Sequence, residues 1–159
     1  MGVLEKLSRL VVGGTAAVAH AATEAMSQCY VEAARQARQL ARHAEMAPQA
    51  YSTQGLSELA AGEDRHVETL RQALRAADVA VPTVPTEPPP MGALNHWARL
   101  VQDLEAHRAS VRRLRELAVH FAESQPTSAA LFDELCHEES LHCERLRELI
   151  ARADPQALN

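Results

Sequence analysis

Aromatic residues and lysine are scarce in this chain of 159 residues. Aromatic side chains make up 3% of it, and Lys6 is its single lysine. β-Sheets draw on aromatic and β-branched residues, whereas Ala, Leu, Glu and Arg, which favour helices, dominate here. The basic residues are mostly arginines interspersed with acids, and the net charge is −5, so no basic block marks a nucleic-acid-binding surface. We therefore expect an all-α protein that does not bind nucleic acid.

Cysteine pairs and long apolar runs are also missing. The three cysteines are an odd number and include no Cys-x-x-Cys pair, which argues against a disulfide framework and for a reducing compartment. No apolar stretch is long enough to span a bilayer. The run Leu10–Ala19 follows Lys6 and loosely resembles a signal peptide, but Gly13 and Gly14 interrupt it. We expect a cytoplasmic protein that does not associate with membranes.

A five-residue pattern occurs twice, 76 positions apart, and reads apolar-x-x-Leu-x-x-x-Glu-x-x-His-x-x-x-Leu. Its copies are Leu56, Leu59, Glu63, His66 and Leu70, and then Phe132, Leu135, Glu139, His142 and Leu146. Spacings of three and four place each set on one face of a helix. A carboxylate and an imidazole buried there need partners, because burying unpaired polar groups is unfavourable. Two such helices facing each other could satisfy these groups by sharing a metal.

The apolar periodicity predicts four long helices in a single domain that covers residues 1–159. The predicted helices cover residues 15–46, 53–78, 92–123 and 127–152. Gly13 and Gly14 are expected to separate a short amphipathic helix, within residues 1–14, from the first long helix. The first two helices form a predicted hairpin over 15–78, and the last two form another over 92–152.

Residues 79–91 join the two predicted hairpins and contain five prolines. Thirteen residues of polyproline II span about 40 Å at roughly 3.1 Å per residue. A helix of about 26 residues is about 39 Å long. The linker can therefore run the full length of a bundle, which makes the second and third helices parallel. The alternative is a mobile tether between separate units.

With these features the chain resembles the ferritin-like superfamily, nearest to the rubrerythrin-type di-iron four-helix bundle. The family pattern is a Glu on the first and third helices and Glu-x-x-His on the second and fourth. The resemblance implies that the metal ligands include Glu63, His66, Glu139 and His142. Alignment of Val31-Glu32-Ala33 with Leu104-Glu105-Ala106 adds Glu32 and Glu105 as weaker candidates.

The two weaker candidates depart from the family pattern. Glu32 and Glu105 lie off the apolar stripes of their helices, and Tyr30 and His107 occupy the stripes at that level. Three interpretations stay open: a local change in helix winding, a site reduced to four ligands, or substitution by His107. The Cys-rich iron module of full rubrerythrins is absent from the sequence.

The resemblance implies two bound iron ions, with manganese or zinc as alternatives, and oxidation of Fe(II) or reduction of peroxide or oxygen. One alternative function is that of a ferritin-like bundle whose metal site has degenerated and which serves as a structural or binding protein. A di-iron oxygenase acting on an organic substrate ranks last, because no dedicated substrate domain is evident. The apolar N-terminal residues and the Ala-rich first helix suggest a homo-oligomer, a dimer or larger.

Overall fold

The computed structural model describes residues 3–86 and 95–153, with side chains described from residue 16 onward. Within these ranges the chain forms four α-helices and no strand. The helices are α1 (Val3–Glu45), α2 (Ala50–Ala76), α3 (His96–Phe121) and α4 (Pro126–Arg152). The all-α class and the number of long helices were therefore predicted correctly.

The break predicted at Gly13 and Gly14 does not occur. α1 continues through both glycines for 43 residues, so residues 3–14 are part of α1 and not a separate short helix. A glycine inside a helix costs only about 1 kcal/mol relative to alanine, which a long helix tolerates. Glycine alone is therefore a weaker helix terminator than the prediction assumed.

The starts of α2 and α3 differ in their capping. α2 begins at Ala50, three residues before the predicted start, after the extended residue Gln49, whose side chain makes no capping hydrogen bond. At α3 the side chain of Asn95 accepts a hydrogen bond of 2.9 Å from the Ala98 amide, which satisfies one of the unpaired donors of the first turn. The predicted start of this helix at residue 92 lies outside the described residues.

Contacts between the helices define the topology. α1 packs chiefly against α2, and α3 against α4, which gives two hairpins. Arg113 contacts Glu32, whereas Asp103, earlier on α3, contacts His43, later on α1. α1 and α3 are therefore antiparallel. Because α1 is also antiparallel to α2, helices α2 and α3 run parallel, as the proline-rich linker predicts.

The described part of the linker lies along the bundle. Val79, Val81 and Val84 pack against the apolar core. The Arg38 side chain on α1 donates a hydrogen bond to the Pro85 carbonyl oxygen. These contacts are those of a docked crossover and not of a mobile tether. Residues 87–91 of the predicted linker lie outside the described residues.

The core consists of two apolar clusters separated along the bundle axis. One cluster includes Met26 from the middle of α1 together with Leu70, Leu114 and Phe132. The other includes Leu40, Leu56, Leu100 and Leu146. Between them lies a layer of buried polar residues, namely Glu63, His66, His107 and Glu139. This layer holds the candidate site. No helix among the described residues is long and apolar enough to cross a membrane.

Candidate metal centre

The two repeated Glu-x-x-His motifs meet in the middle of the bundle. α2 supplies Glu63 and His66, and α4 supplies Glu139 and His142. One ligand atom from each residue lies within 4.8 Å of the others. The first three side chains are buried, and the side chain of His142 is only 12% exposed. The i, i+3 spacing accounts for this convergence, since it puts both side chains of each helix on the face that meets the other helix.

His107 of α3 joins these four residues. Its Nδ1 atom lies 2.7 Å from Glu139 Oε2 and 3.6 Å from Glu63 Oε1, and the residue is buried. Its ring meets the His142 ring edge to face, with centroids 5.6 Å apart. We call these five residues, Glu63, His66, His107, Glu139 and His142, the central cluster.

Glu63 is incompletely satisfied within the central cluster. Its Oε1 atom accepts a hydrogen bond of 2.9 Å from His142 Nδ1. Its Oε2 atom is buried without a hydrogen-bond partner, and the nearest imidazole atom, His66 Nδ1, is 3.5 Å away. A buried carboxylate oxygen without a partner is costly. Carboxylate oxygens and imidazole nitrogens are ligands of Fe(II), Mn(II) and Zn(II), so the donor set and the unpaired oxygen fit a metal ion.

The carboxylates and imidazoles of the central cluster shift one another's pKa values toward the charged forms. Burial by itself would lower the pKa of His66, but the carboxylates of Glu139 and Glu63, 3.4 and 3.5 Å from its Nδ1 atom, raise it to about 10. Burial also opposes the charged form of His107, yet the hydrogen bond and charge of Glu139 raise its pKa. Burial would raise the pKa of Glu139, but His107 and His66 hold it well below its usual range. A divalent cation that enters must therefore displace protons from the imidazoles.

Glu138 also contacts the central cluster, although no sequence motif pointed to it. His66 Nε2 lies 2.7 Å from Glu138 Oε2, and the Glu138 side chain is 42% exposed. This contact leaves His66 Nδ1 facing Glu63 and Glu139, at 3.5 and 3.4 Å. Ligand histidines commonly donate their outer nitrogen to a carboxylate, which fixes the ring. Glu138 escaped prediction because it lies about 100° around the helix from Glu139, off the apolar stripe.

A glycine makes room for His142. A Cβ atom on Gly62 would lie 2.5 Å from His142 Nε2 and 2.8 Å from its Cε1. The imidazole therefore packs directly against the α2 backbone, and any side chain at residue 62 would displace the ring. The close approach of α4 to α2 at this level depends on this glycine.

The two weaker candidates of the sequence analysis lie outside the central cluster. Glu32 forms an ion pair of 2.8 Å with Arg113 and accepts a hydrogen bond of 3.4 Å from Ser110. Glu105 pairs with Arg108 at 2.6 Å, and both side chains are exposed. The structure brings together the four stronger candidates and His107, but neither of these glutamates. Alignment of the two halves of the sequence suggested that both glutamates lie near the site. Their positions off the apolar stripes of their helices already indicated that their side chains point elsewhere.

A second buried carboxylate lies one helical turn from His107. Asp103 is 1% exposed, and its Oδ2 atom lies 2.7 Å from His43 Nδ1. Its Oδ1 atom accepts a hydrogen bond of 2.5 Å from Gln39 Nε2. We call Gln39, His43 and Asp103 the end cluster. No repeat or motif marks these residues in the sequence, so they were not predicted to have a role.

No protein-family model matches the chain, and no curated protein matches its sequence. Solved structures with the same architecture do match. A dodecameric thioferritin, the bacterioferritin-related protein of Bacteroides fragilis, superposes with a TM-score of 0.74 at 16% identity, over 84% of this chain and 86% of that protein. Dps from Thermosynechococcus elongatus superposes with a TM-score of 0.77 at 14% identity, over 89% of this chain and 97% of that one. The chain therefore has the fold of the ferritin-like proteins.

Proposed function

We propose that this protein binds two iron ions at the central cluster and oxidises Fe(II) or reduces peroxide or oxygen there. The observation that carries this proposal is the buried convergence of Glu63, His66, Glu139 and His142 around a carboxylate oxygen that has no hydrogen bond. Two carboxylates offer four oxygen atoms, and the imidazoles of His66, His107 and His142 add nitrogen donors. This set is large enough for two cations and includes no thiolate.

The residues of the central cluster have distinct tasks in this proposal. Glu63 and Glu139 bind and neutralise the cations, and the imidazoles complete the ligand set. Glu138 orients His66, and Gly62 admits the ring of His142. When bound, the irons would supply the electrons for reduction of peroxide or oxygen. The apolar clusters on either side exclude bulk water from the layer.

Several finer assignments belong to the same proposal. Paired Glu-x-x-His helices favour the rubrerythrin-type branch of the ferritin-like proteins, although His107 stands where that branch would supply a carboxylate. One structural neighbour is a dodecamer, which supports a homo-oligomer for this chain. A cytoplasmic location stays a prediction from the cysteine content.

The test uses anaerobic loading with Fe(II) followed by addition of hydrogen peroxide or air. We expect rapid growth of the near-ultraviolet absorbance of Fe(III) in the unmutated chain. The Glu139→Gln variant should lose this absorbance, since it keeps the side-chain volume but removes a charge beside His107. Glu105→Gln is the matched control, because it removes an exposed carboxylate outside the cluster. Loss of the absorbance in both variants, or in neither, would contradict the proposal.

A second candidate function, a structural or binding bundle without metal, is favoured by one observation. His107 with Glu139 at 2.7 Å and His142 with Glu63 at 2.9 Å form hydrogen-bonded pairs among the residues of the cluster itself. Such pairs can hold a fold together by themselves. Under this reading, Fe(II), Mn(II) or Zn(II) would leave the melting temperature of the unmutated chain unchanged, whereas our proposal predicts an increase.

A further inference from the structure

A narrow cavity leads from the central cluster toward the face formed by α1 and α3. Its volume is about 20 Å³, which is enough for about one water molecule. His66 and Glu139 line its inner end, and Glu32, Arg113 and Ser110 line its outer part. The cavity is therefore a candidate passage between the surface and the proposed metal ligands.

The outer end of the cavity adjoins a surface groove. The groove has a volume of about 620 Å³ and shares Glu32 and Arg113 with the inner cavity. These two side chains form an ion pair of 2.8 Å between α1 and α3, and each is about one-third exposed. Arg113 also donates a hydrogen bond of 2.5 Å to Gln28. The ion pair therefore stands at the boundary between the groove and the cavity.

The inner wall of the cavity determines what can pass. It consists mostly of apolar side chains and a thiol, namely Cys29, Ala33, Leu70, Leu114 and Leu135. Along this wall a hydrated divalent cation would lose part of its water, which is unfavourable, and the carboxylates of Glu32 and Glu139 lie only at the two ends of the cavity. A neutral molecule about the size of water loses less hydration free energy than a cation when it enters the cavity.

The opposite face of the bundle suits cations better. Glu138 is an exposed carboxylate in direct contact with His66, and the side chain of His142 is 12% exposed. These residues lie on α4, where the bundle surface offers an oxygen ligand next to the central cluster. Cations and neutral molecules thus have separate approaches to the central cluster.

We propose that the cavity between α1 and α3 carries the small neutral oxidant, dioxygen or hydrogen peroxide, to the central cluster, and that the Glu32–Arg113 ion pair closes its outer end. This inference rests on the proposed function. It assigns a role to Glu32, which alignment of the two halves of the sequence suggested as a ligand and which lies outside the central cluster.

The first test fills the cavity. Ala33→Leu adds a bulky side chain to the cavity wall, and Ala37→Leu is its matched control, a buried alanine one turn later on α1 that does not line the cavity. Chains loaded with Fe(II) are mixed with hydrogen peroxide or with dissolved oxygen. We expect Ala33→Leu to slow iron oxidation severalfold with unchanged iron content, and Ala37→Leu to leave the rate as it is. Equal rates in both variants would overturn the proposal.

The second test opens the outer end of the cavity by a substitution near the surface, which leaves the apolar core intact. Arg113→Ala removes the ion pair with Glu32, and Arg112→Ala removes a neighbouring exposed arginine as control. We expect faster oxidation in Arg113→Ala alone. An unchanged rate in that variant would overturn the closing role of the ion pair, whatever the outcome for Ala33→Leu.

A third readout requires no iron. In metal-free protein, hydrogen peroxide converts the Cys29 thiol to a sulfenic acid: a sulfur–oxygen bond forms, the peroxide bond breaks and water leaves. Burial raises the pKa of Cys29 to about 11, so this reaction is slow and is followed by mass spectrometry after trapping. We expect Ala33→Leu to slow oxidation of Cys29 but not of Cys136, which does not line the cavity. Equal slowing of both thiols, or of neither, would contradict the route.

The readouts separate the two proposals. If the unmutated chain binds no iron, the proposed function fails, yet the oxidation of Cys29 still tests the passage. If iron binds and is oxidised equally fast in all four variants, the function stands and the passage is wrong.

Discussion

The end cluster and the central cluster both bury carboxylates beside histidine side chains, but only the central cluster holds a carboxylate oxygen without a hydrogen bond. In the end cluster, His43 and Gln39 pair with the two oxygens of Asp103, at 2.7 and 2.5 Å. In the central cluster, Glu63 Oε2 has no hydrogen bond although Glu63 is 0% exposed. A carboxylate that is fully paired needs nothing further, whereas an unpaired buried oxygen indicates that a partner is missing.

This difference assigns different tasks to two otherwise similar clusters. The end cluster joins α1 to α3, and its hydrogen bonds are those of a structural contact between the two helices. The central cluster joins α2, α3 and α4 and has ligand atoms close enough to share a cation. Substitutions in the two clusters should therefore separate stability from metal binding.

The largest expected effect is on stability and comes from the end cluster. Asp103→Asn leaves His43 without its carboxylate partner in a buried position, and we expect a loss of about 2 kcal/mol in the free energy of unfolding. The iron content of the folded variant should equal that of the unmutated chain. Chemical denaturation and iron content measure the two quantities on the same sample. If Asp103→Asn kept its stability but lost its iron, the end cluster would be needed for metal binding and not for stability, contrary to this prediction.

The next effect concerns the backbone beside His142. Gly62→Ala should weaken metal binding and destabilise the metal-free fold by about 1–2 kcal/mol, because its Cβ would lie 2.5 Å from the ring. Gly55→Ala is the matched control on the same helix, where the new Cβ meets the flexible Leu149 side chain at 2.9 Å. We expect this control to be close to neutral. Similar losses in both variants would show that helix packing in general, and not the His142 contact, is affected.

A smaller effect is expected for the outer support of the central cluster. Glu138→Gln keeps the shape of the side chain but weakens the hydrogen bond to His66, so metal affinity should fall about tenfold. Glu134→Gln, on the same helix and exposed, serves as control. Calorimetric titration with Co(II) gives both affinities. An unchanged affinity in Glu138→Gln would show that His66 needs no support from this carboxylate.

The last prediction concerns the pH dependence of the metal-free chain. The pKa of His66 is raised to about 10, so its stabilising contribution is complete below its unfolded pKa of about 6.5 and is lost as the pH rises toward 10. We expect the melting temperature to fall over this range. His66→Gln should remove part of the slope, and an identical slope in that variant would contradict the charged pairing.

Much of the fold follows from periodicity alone. The apolar stripes of α2 and α4 fix which faces are buried, and the length of the proline-rich linker selects parallel α2 and α3. The same stripes carry Glu63, His66, Glu139 and His142 inward, which is why the sequence could bring these four together. Their binding of metal remains a proposal.

Other features depend on contacts between distant residues, which a single sequence does not encode in its spacing. Glu138 and the pairing of His43 with Asp103 were not anticipated, because each depends on which helix faces which at one level of the bundle. The break expected at Gly13 failed for an energetic reason, since the cost of a glycine is small compared with the stability of a long helix.

The central claim is that the unpaired oxygen of Glu63 marks a metal site, and equilibrium dialysis against Fe(II) without oxygen tests it most directly. The account predicts two iron ions per chain in the unmutated protein and in Asp103→Asn, and little or none in Glu63→Gln. Absence of iron from the folded unmutated chain, or equal iron in Glu63→Gln, would contradict it.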